Sequence, residues 1–131
     1  MALTMSIGLT GIPVQDPDHA VDFYTGTLGF SIKTDLPMGE FRFVTVTAPG
    51  GPAEVELLLE PTAHPASAAF QKTIYDDGIP AAVFFVKDLE AECEQLKAAG
   101  VRFHAEPAAN EFGASAVIDD TCGNLIQLHQ R

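Results

Sequence analysis

The feature that most constrains this chain is that it repeats its own landmarks. Val55-Glu56-Leu57 and Ile126-Gln127-Leu128 share the order apolar, polar, apolar, and each follows a glycine-bearing turn, Gly50-Gly51 in one case and Gly123-Asn124 in the other. Their first residues, 55 and 126, lie 71 positions apart. Val14-Gln15-Asp16 and Val86-Lys87-Asp88 are separated by 72, and Gly29 and Gly100 by 71. Three landmarks at nearly one offset mark an internal duplication, which is read before any single element because it fixes the architecture. A chain of 131 residues is then two small modules sharing one core, with no need of disulfide or metal staples.

Each copy reads as strand, helix, strand, strand, strand. In module one, about residues 5–60, the run 5–14 is a strand. Asp16-Pro17-Asp18 opens a helix, because the Asp16 carboxylate can accept from free amides and proline fits the first turn. Ala20, Phe23, Tyr24, Thr27 and Leu28 recur at helical spacing, and Gly29 supplies a left-handed stop. Residues 30–34 form a short strand, 36–39 a turn, 41–47 a strand and 54–60 another. A connector, 61–78, holds a short helix behind His64-Pro65. In module two, 79–131, a strand over 79–86 leads to a helix capped by Asp88 and ended by Gly100. Strands over 101–104, 114–118 and 125–129 follow, with 105–113 as a loop.

Charge and cysteine content narrow the function. Eighteen acids against seven Lys and Arg give a net charge of −11. That argues against nucleic acid and against anionic membrane surfaces, both of which call for basic side chains. Cys93 and Cys122 have no disulfide or zinc spacing. Reduced thiols, with no signal peptide or spanning segment, place the expected location in the cytoplasm.

The βαβββ repeat, with Asp16-Pro17-Asp18, Phe23-Tyr24 and Leu28-Gly29-Phe30 in the first helix and Gly123-Asn124-Leu125-Ile126-Gln127-Leu128 at the end, resembles the vicinal oxygen chelate superfamily. That superfamily includes glyoxalase I, extradiol dioxygenases and bleomycin-binding proteins. The resemblance implies an α+β fold of two tandem modules over the single domain 1–131, forming a curved half-barrel sheet with helices on its outer face. It also implies a homodimer, in which modules of two chains complete each other's concave side. In the enzymes of the family a divalent metal sits there. The corresponding positions in this chain are Leu9, Glu56, Ala81 and Gln127.

Strand parity supports the same face independently. Side chains alternate, so Val55, Leu57, Leu59, Ile126 and Leu128 face the helices. Glu56, Leu58, Leu125, Gln127 and His129 then face the hollow, with Leu9, Phe43, Ala81, Val83 and Phe85 as its apolar lining. Leu9 and Ala81 have no donor atom, and two donors fall short of the three or more a catalytic ion needs. The expectation is therefore a site with no metal and no cofactor. Glu56 is the sharpest candidate, as a general base or as an anchor for a cationic or hydroxyl group. Gln127 can donate and accept, His129 can carry a proton, and both also have plain structural readings. Arg42 is read as a salt bridge to nearby acids, Cys93 as core and Cys122 as a bystander thiol. Two function classes remain open. One is a binding protein that sequesters a small apolar or cationic organic molecule. The other is a lyase, isomerase or dioxygenase-type enzyme using Glu56 as base or as ligand of an atypical metal.

Overall fold

The computed structural model describes residues 2–131. The first half builds β1 (Leu9–Val14), α1 (Pro17–Val21), β2 (Ser31–Met38), β3 (Phe41–Thr47) and β4 (Glu56–Pro61). A connector helix, α2 (Pro65–Asp76), leads to β5 (Ala82–Val86), α3 (Leu89–Ala98), β6 (Phe103–Asn110), β7 (Gly113–Asp119) and β8 (Leu125–Gln130). The strands make two four-stranded sheets, ordered β1-β4-β3-β2 and β5-β8-β7-β6. In each, the first and last strands of the module pair in parallel, and the others are antiparallel. The duplication is thus a duplication of topology.

Local chemistry starts and stops the helices as the sequence implies. Asp16 accepts from the Asp18 amide at 3.0 Å, and Asp88 from the Ala91 amide at 3.1 Å. His64 caps the connector helix, its Nδ1 accepting from the Ala66 amide at 3.0 Å. Helix α1 widens into a π-helical turn over Asp22–Thr27, where the Leu28 amide donates to the Phe23 carbonyl. Thr25 Oγ1 donates to the Val21 carbonyl at 2.6 Å, competing with the backbone ladder. The wider turn lets neighbouring Phe23 and Tyr24 both point inward, at 8% and 0% exposure.

Four boundaries differ from the sequence reading. The expected turn at 36–39 is strand as far as Met38, and the expected loop at 105–113 is strand as far as Asn110. Both segments contain a proline, Pro37 or Pro107, which the sequence marks as a breaker. Both lie in the outermost strand of their sheet, where a missing N–H costs no ladder bond. The β6 arm absorbs its proline through register shifts between Phe103 and Ala108. Conversely, β1 begins at Leu9 rather than near residue 5, and β5 at Ala82 rather than 79. β1 starts opposite the first residue of its parallel partner, Leu9 with Glu56, and β5 opposite the second of its own, Ala82 with Ile126.

One core serves both modules. It takes Ile12, Val14, Val44, Val46 and Leu59 from the first sheet and Ala116, Ile118, Ile126 and Leu128 from the second, with Ala20, Tyr24, Leu89 and Cys93 from the helices. Each sheet turns its helix-bearing face to this core, so the two modules form open curved sheets in an α+β fold. A polar joint runs through this core. Tyr24 Oη donates to Asp120 Oδ2 at 2.7 Å, and Asp120 also accepts from Asn124 Nδ2 and from the amides of Cys122 and Asn124. Gln71 of α2 donates to the carbonyls of Pro13 (2.9 Å) and Cys122 (3.1 Å) and to Asn124 Oδ1 (3.1 Å). Burial pushes the Asp120 carboxyl up, and the hydrogen bonds from Asn124, Tyr24 and the two amides pull it back. The Tyr24 hydroxyl is held well above the ordinary tyrosine range, first by burial and then by the Asp120 charge.

Gly123 sits at φ +100° beside this joint, and a Cβ there would lie 2.7 Å from the carbonyl carbon of the Gln71 amide. Gln71 is fixed by three bonds and cannot yield. Gly123→Ala is expected to cost roughly 2–4 kcal/mol, from the left-handed backbone together with the clash. Tyr24→Phe is expected to cost about 1–3 kcal/mol. Urea unfolding of each variant measures both. The Cys122 thiol is buried and pushed up to about 12, by burial first and the Asp120 charge second. It stays protonated at pH 8, so a thiol reagent such as DTNB should leave it unmodified in the folded chain and react on unfolding.

Candidate functional site

Each sheet turns its helix-bearing face to the core and leaves its other face open. On the first sheet Ile12, Val14, Val44, Val46 and Leu59 point inward. Alternation then places Leu9 and Gly11 of β1, Phe43 and Thr45 of β3, and Glu56, Leu58 and Glu60 of β4 on the open face. Leu9 is the register partner of Glu56 and is 46% exposed. On the second sheet Ile126 and Leu128 point inward, leaving Gln127 and His129 on the open side with Val83 and Phe85, their register partners. Val83 and Phe85 are 48% and 61% exposed, an unusual position for a valine and a phenylalanine in the middle of a strand. Ala81 lies just before β5, its amide bonded to the Leu125 carbonyl at 2.8 Å, and packs against the core.

The predicted site residues thus fall into two sets. The fold brings Leu9, Phe43, Glu56 and Leu58 together on one sheet, and Val83, Phe85, Gln127 and His129 on the other. The two sets belong to different sheets. Two clefts, of about 400 and 570 Å³, run along the connector. Asp16, Asp18, Glu40 and Arg42 help line the first; Gln71, Tyr75, Asp119 and Thr121 help line the second. Neither contains a predicted site residue. Arg42 is held by ion pairs to Asp18 and Asp35, both at 2.8 Å, in line with its salt-bridge reading.

The surroundings of Glu56 are the most ordered part of either open face. Its side chain is 22% exposed. Thr45 Oγ1 donates to Glu56 Oε1 at 2.6 Å, and Thr34 Oγ1 stands 3.5 Å from the same oxygen. Thr45 is fully buried, at 0% exposure. The other oxygen, Oε2, is 4.0 Å from Lys33 Nζ, which itself donates to the Ala53 carbonyl at 2.5 Å. Two positions further along β4, past Leu58, the Glu60 carboxylate lies over Gly11: a Cβ on Gly11 would sit 3.0 Å from Glu60 Oε2. On the second sheet the Arg131 guanidinium stacks 4.2 Å from the centroid of the Phe85 ring, and the His129 ring meets Phe85 edge-on at 6.1 Å.

Thr34, Thr45, Lys33, Glu60 and Arg131 were not singled out from the sequence. The signal that finds the threonines is cross-strand register, Thr34 opposite Thr45 and Thr45 opposite Leu58. Register is set by the hairpin turns and is invisible in the order of residues alone. As a cation site the donors are poor. Residues 9 and 81 carry no donor, Glu56 Oε1 is occupied by threonine, and Glu56 and Gln127 are on different sheets.

Comparison with known proteins follows the same lines. The profile of the Glyoxalase/Bleomycin resistance protein/Dioxygenase superfamily matches residues 6–128. The uncharacterised protein YurT of Bacillus subtilis (strain 168) is 49% identical over 97% of this chain and all of its own length. The crystal structure of UcmS2 aligns over 98% of this chain and all of its own, at 35% identity and a TM-score of 0.85. TnmS3, an antibiotic binding protein from Streptomyces sp. CB03234, aligns over 99% of this chain and 98% of its own, at 29% identity and a TM-score of 0.76. A duplicated βαβββ topology, two open apolar faces and a profile spanning nearly every residue give one answer: the chain belongs to the glyoxalase/bleomycin resistance protein/dioxygenase superfamily.

Proposed function

We propose that this protein binds and sequesters a small organic molecule on its open sheet faces, without a metal, with Glu56 as the polar anchor. The observation that carries the reading is the half-buried Glu56 carboxylate beside Leu9 and Leu58, held by Thr45 on an open sheet face that also bears Phe43. A few fixed polar groups among apolar side chains are the composition of an organic-ligand site. The missing donors at positions 9 and 81 support binding without a metal. Similarity to an antibiotic binding protein supports sequestration. The ligand class is an apolar body bearing a cationic or hydroxyl group. The net charge of −11 favours a cation over an anion.

The binding unit is a homodimer. The two half-sites belong to different sheets, and a second chain can complete each of them into a pocket. Closed two-fold symmetry does this twice over, giving two equivalent pockets. Exposed Val83 and Phe85 are what such an interface would cover. The second reading, a lyase- or dioxygenase-type enzyme with Glu56 as base, draws on the same carboxylate, whose oxygens are oriented by Thr45 and Lys33. It separates from the first by turnover.

A thermal-shift panel of cationic antibiotics, bleomycin included, tests sequestration. A compound at 100 times its Kd adds about 2.7 kcal/mol, a rise of roughly 8–13 °C for a domain of this size. The rise is expected to be the same in EDTA and in millimolar Mg²⁺ or Zn²⁺; dependence on the ion would reject metal-free binding. Glu56→Gln is expected to weaken binding of a cationic hit by about 1.5–3 kcal/mol with the fold unchanged. Chemical conversion of a hit by the wild type, lost in Glu56→Gln, would move the protein to the enzyme class. Light scattering should give twice the 13.9 kDa chain mass, and Phe85→Glu should return it toward one.

A further inference from the structure

Glu56 is not a bare carboxylate. Its Oε1 accepts from Thr45 at 2.6 Å with Thr34 close by, and its Oε2 faces Lys33 and the open side. Thr45 stands at 0% exposure in the middle strand of the hairpin, between Val44 and Val46, which point into the core. A buried hydroxyl must find a partner, and its neighbours in register, Thr34 and Leu58, leave Glu56 as the acceptor it uses. The bond fixes the carboxylate in one rotamer.

Lys33 is a different kind of neighbour. It is 42% exposed, 4.0 Å away, and already donates to the Ala53 carbonyl. A flexible ammonium at that range can be displaced by a better donor without leaving a buried group unpaired. The two oxygens therefore have separate jobs, one tied to the sheet and one offered outward.

We propose that Thr45 is the positioning residue of this site. Its hydroxyl holds Oε1 so that Oε2 faces a ligand's charged N–H donor, and this selects alkyl or arylalkyl ammonium groups over neutral groups of the same shape. The proposal rests on the reading of the open face as a ligand site and deepens it by naming the recognised group, a protonated amine that takes the place of Lys33. A charge-assisted bond to a pre-oriented carboxylate is stronger than one to a carboxylate that must first give up rotamer freedom.

The test uses two probes of one shape, naphthylmethylammonium and naphthalenemethanol, titrated into the full-length chain and followed by NMR chemical shifts. The ammonium is expected to bind about tenfold more tightly than the alcohol. Thr45→Val should weaken the ammonium far more than the alcohol and so remove most of that preference. Thr45→Ser, which keeps the hydroxyl, should retain the preference, and Glu56→Gln should abolish it. If Thr45→Val leaves the preference intact, or weakens both probes equally, Thr45 is not a positioning residue. If the alcohol binds and the ammonium binds no better, the open-face reading stands and the assignment to Thr45 falls. If neither probe binds, both fall together.

Discussion

Asp120 is the group on which the arrangement of the molecule turns. It is a carboxylate at 0% exposure, and it is tolerable there only because Tyr24, Asn124 and two backbone amides all donate to it. Each donor comes from a place that has to be held. Tyr24 belongs to the helix of the first module, Asn124 opens the last strand of the second, and Asn124 passes the network on to Gln71 in the connector and to the Pro13 carbonyl in β1. Apolar packing alone would let two similar modules slide or rotate against each other. Hydrogen bonds with fixed partners remove that freedom, because any other docking would strand a buried charge.

Burial of the helix-bearing faces then decides what the open faces can be. With the helix-bearing sides committed to the core, the remaining sides carry Leu9, Leu58 and Phe43 in one module and Val83 and Phe85 in the other. The modules have also diverged in charge. The first offers Glu56 and Glu60, and the second offers His129 and an Arg131 guanidinium over Phe85. Duplication supplied two surfaces of one shape, and substitution made them chemically different.

Much of this was legible in the order of residues. The offset between copies gave the topology, the capping residues Asp16 and Asp88 gave the helix starts, and strand alternation placed Glu56 and Gln127 on the sides opposite the core. What escaped were features that depend on which strand lies beside which. Asp119 to Asn124 read as a turn, yet Asp120 and Asn124 are buried and join the modules, since their partners are far away in the chain. Pro37 and Pro107 read as breaks because a breaker's effect depends on whether the strand is central or outermost. Thr45 read as one β-branched residue among several, because its partner is named by register.

The two prolines have a consequence at a larger scale. Each occupies the outermost strand of its sheet, β2 or β6, and so removes a donor from that rim. A neighbouring polypeptide cannot add there as a continuous new strand. The opposite rims, β1 and β5, carry no such block beyond Pro13 near the end of β1. Strand addition to this chain is therefore confined to the β1 and β5 rims.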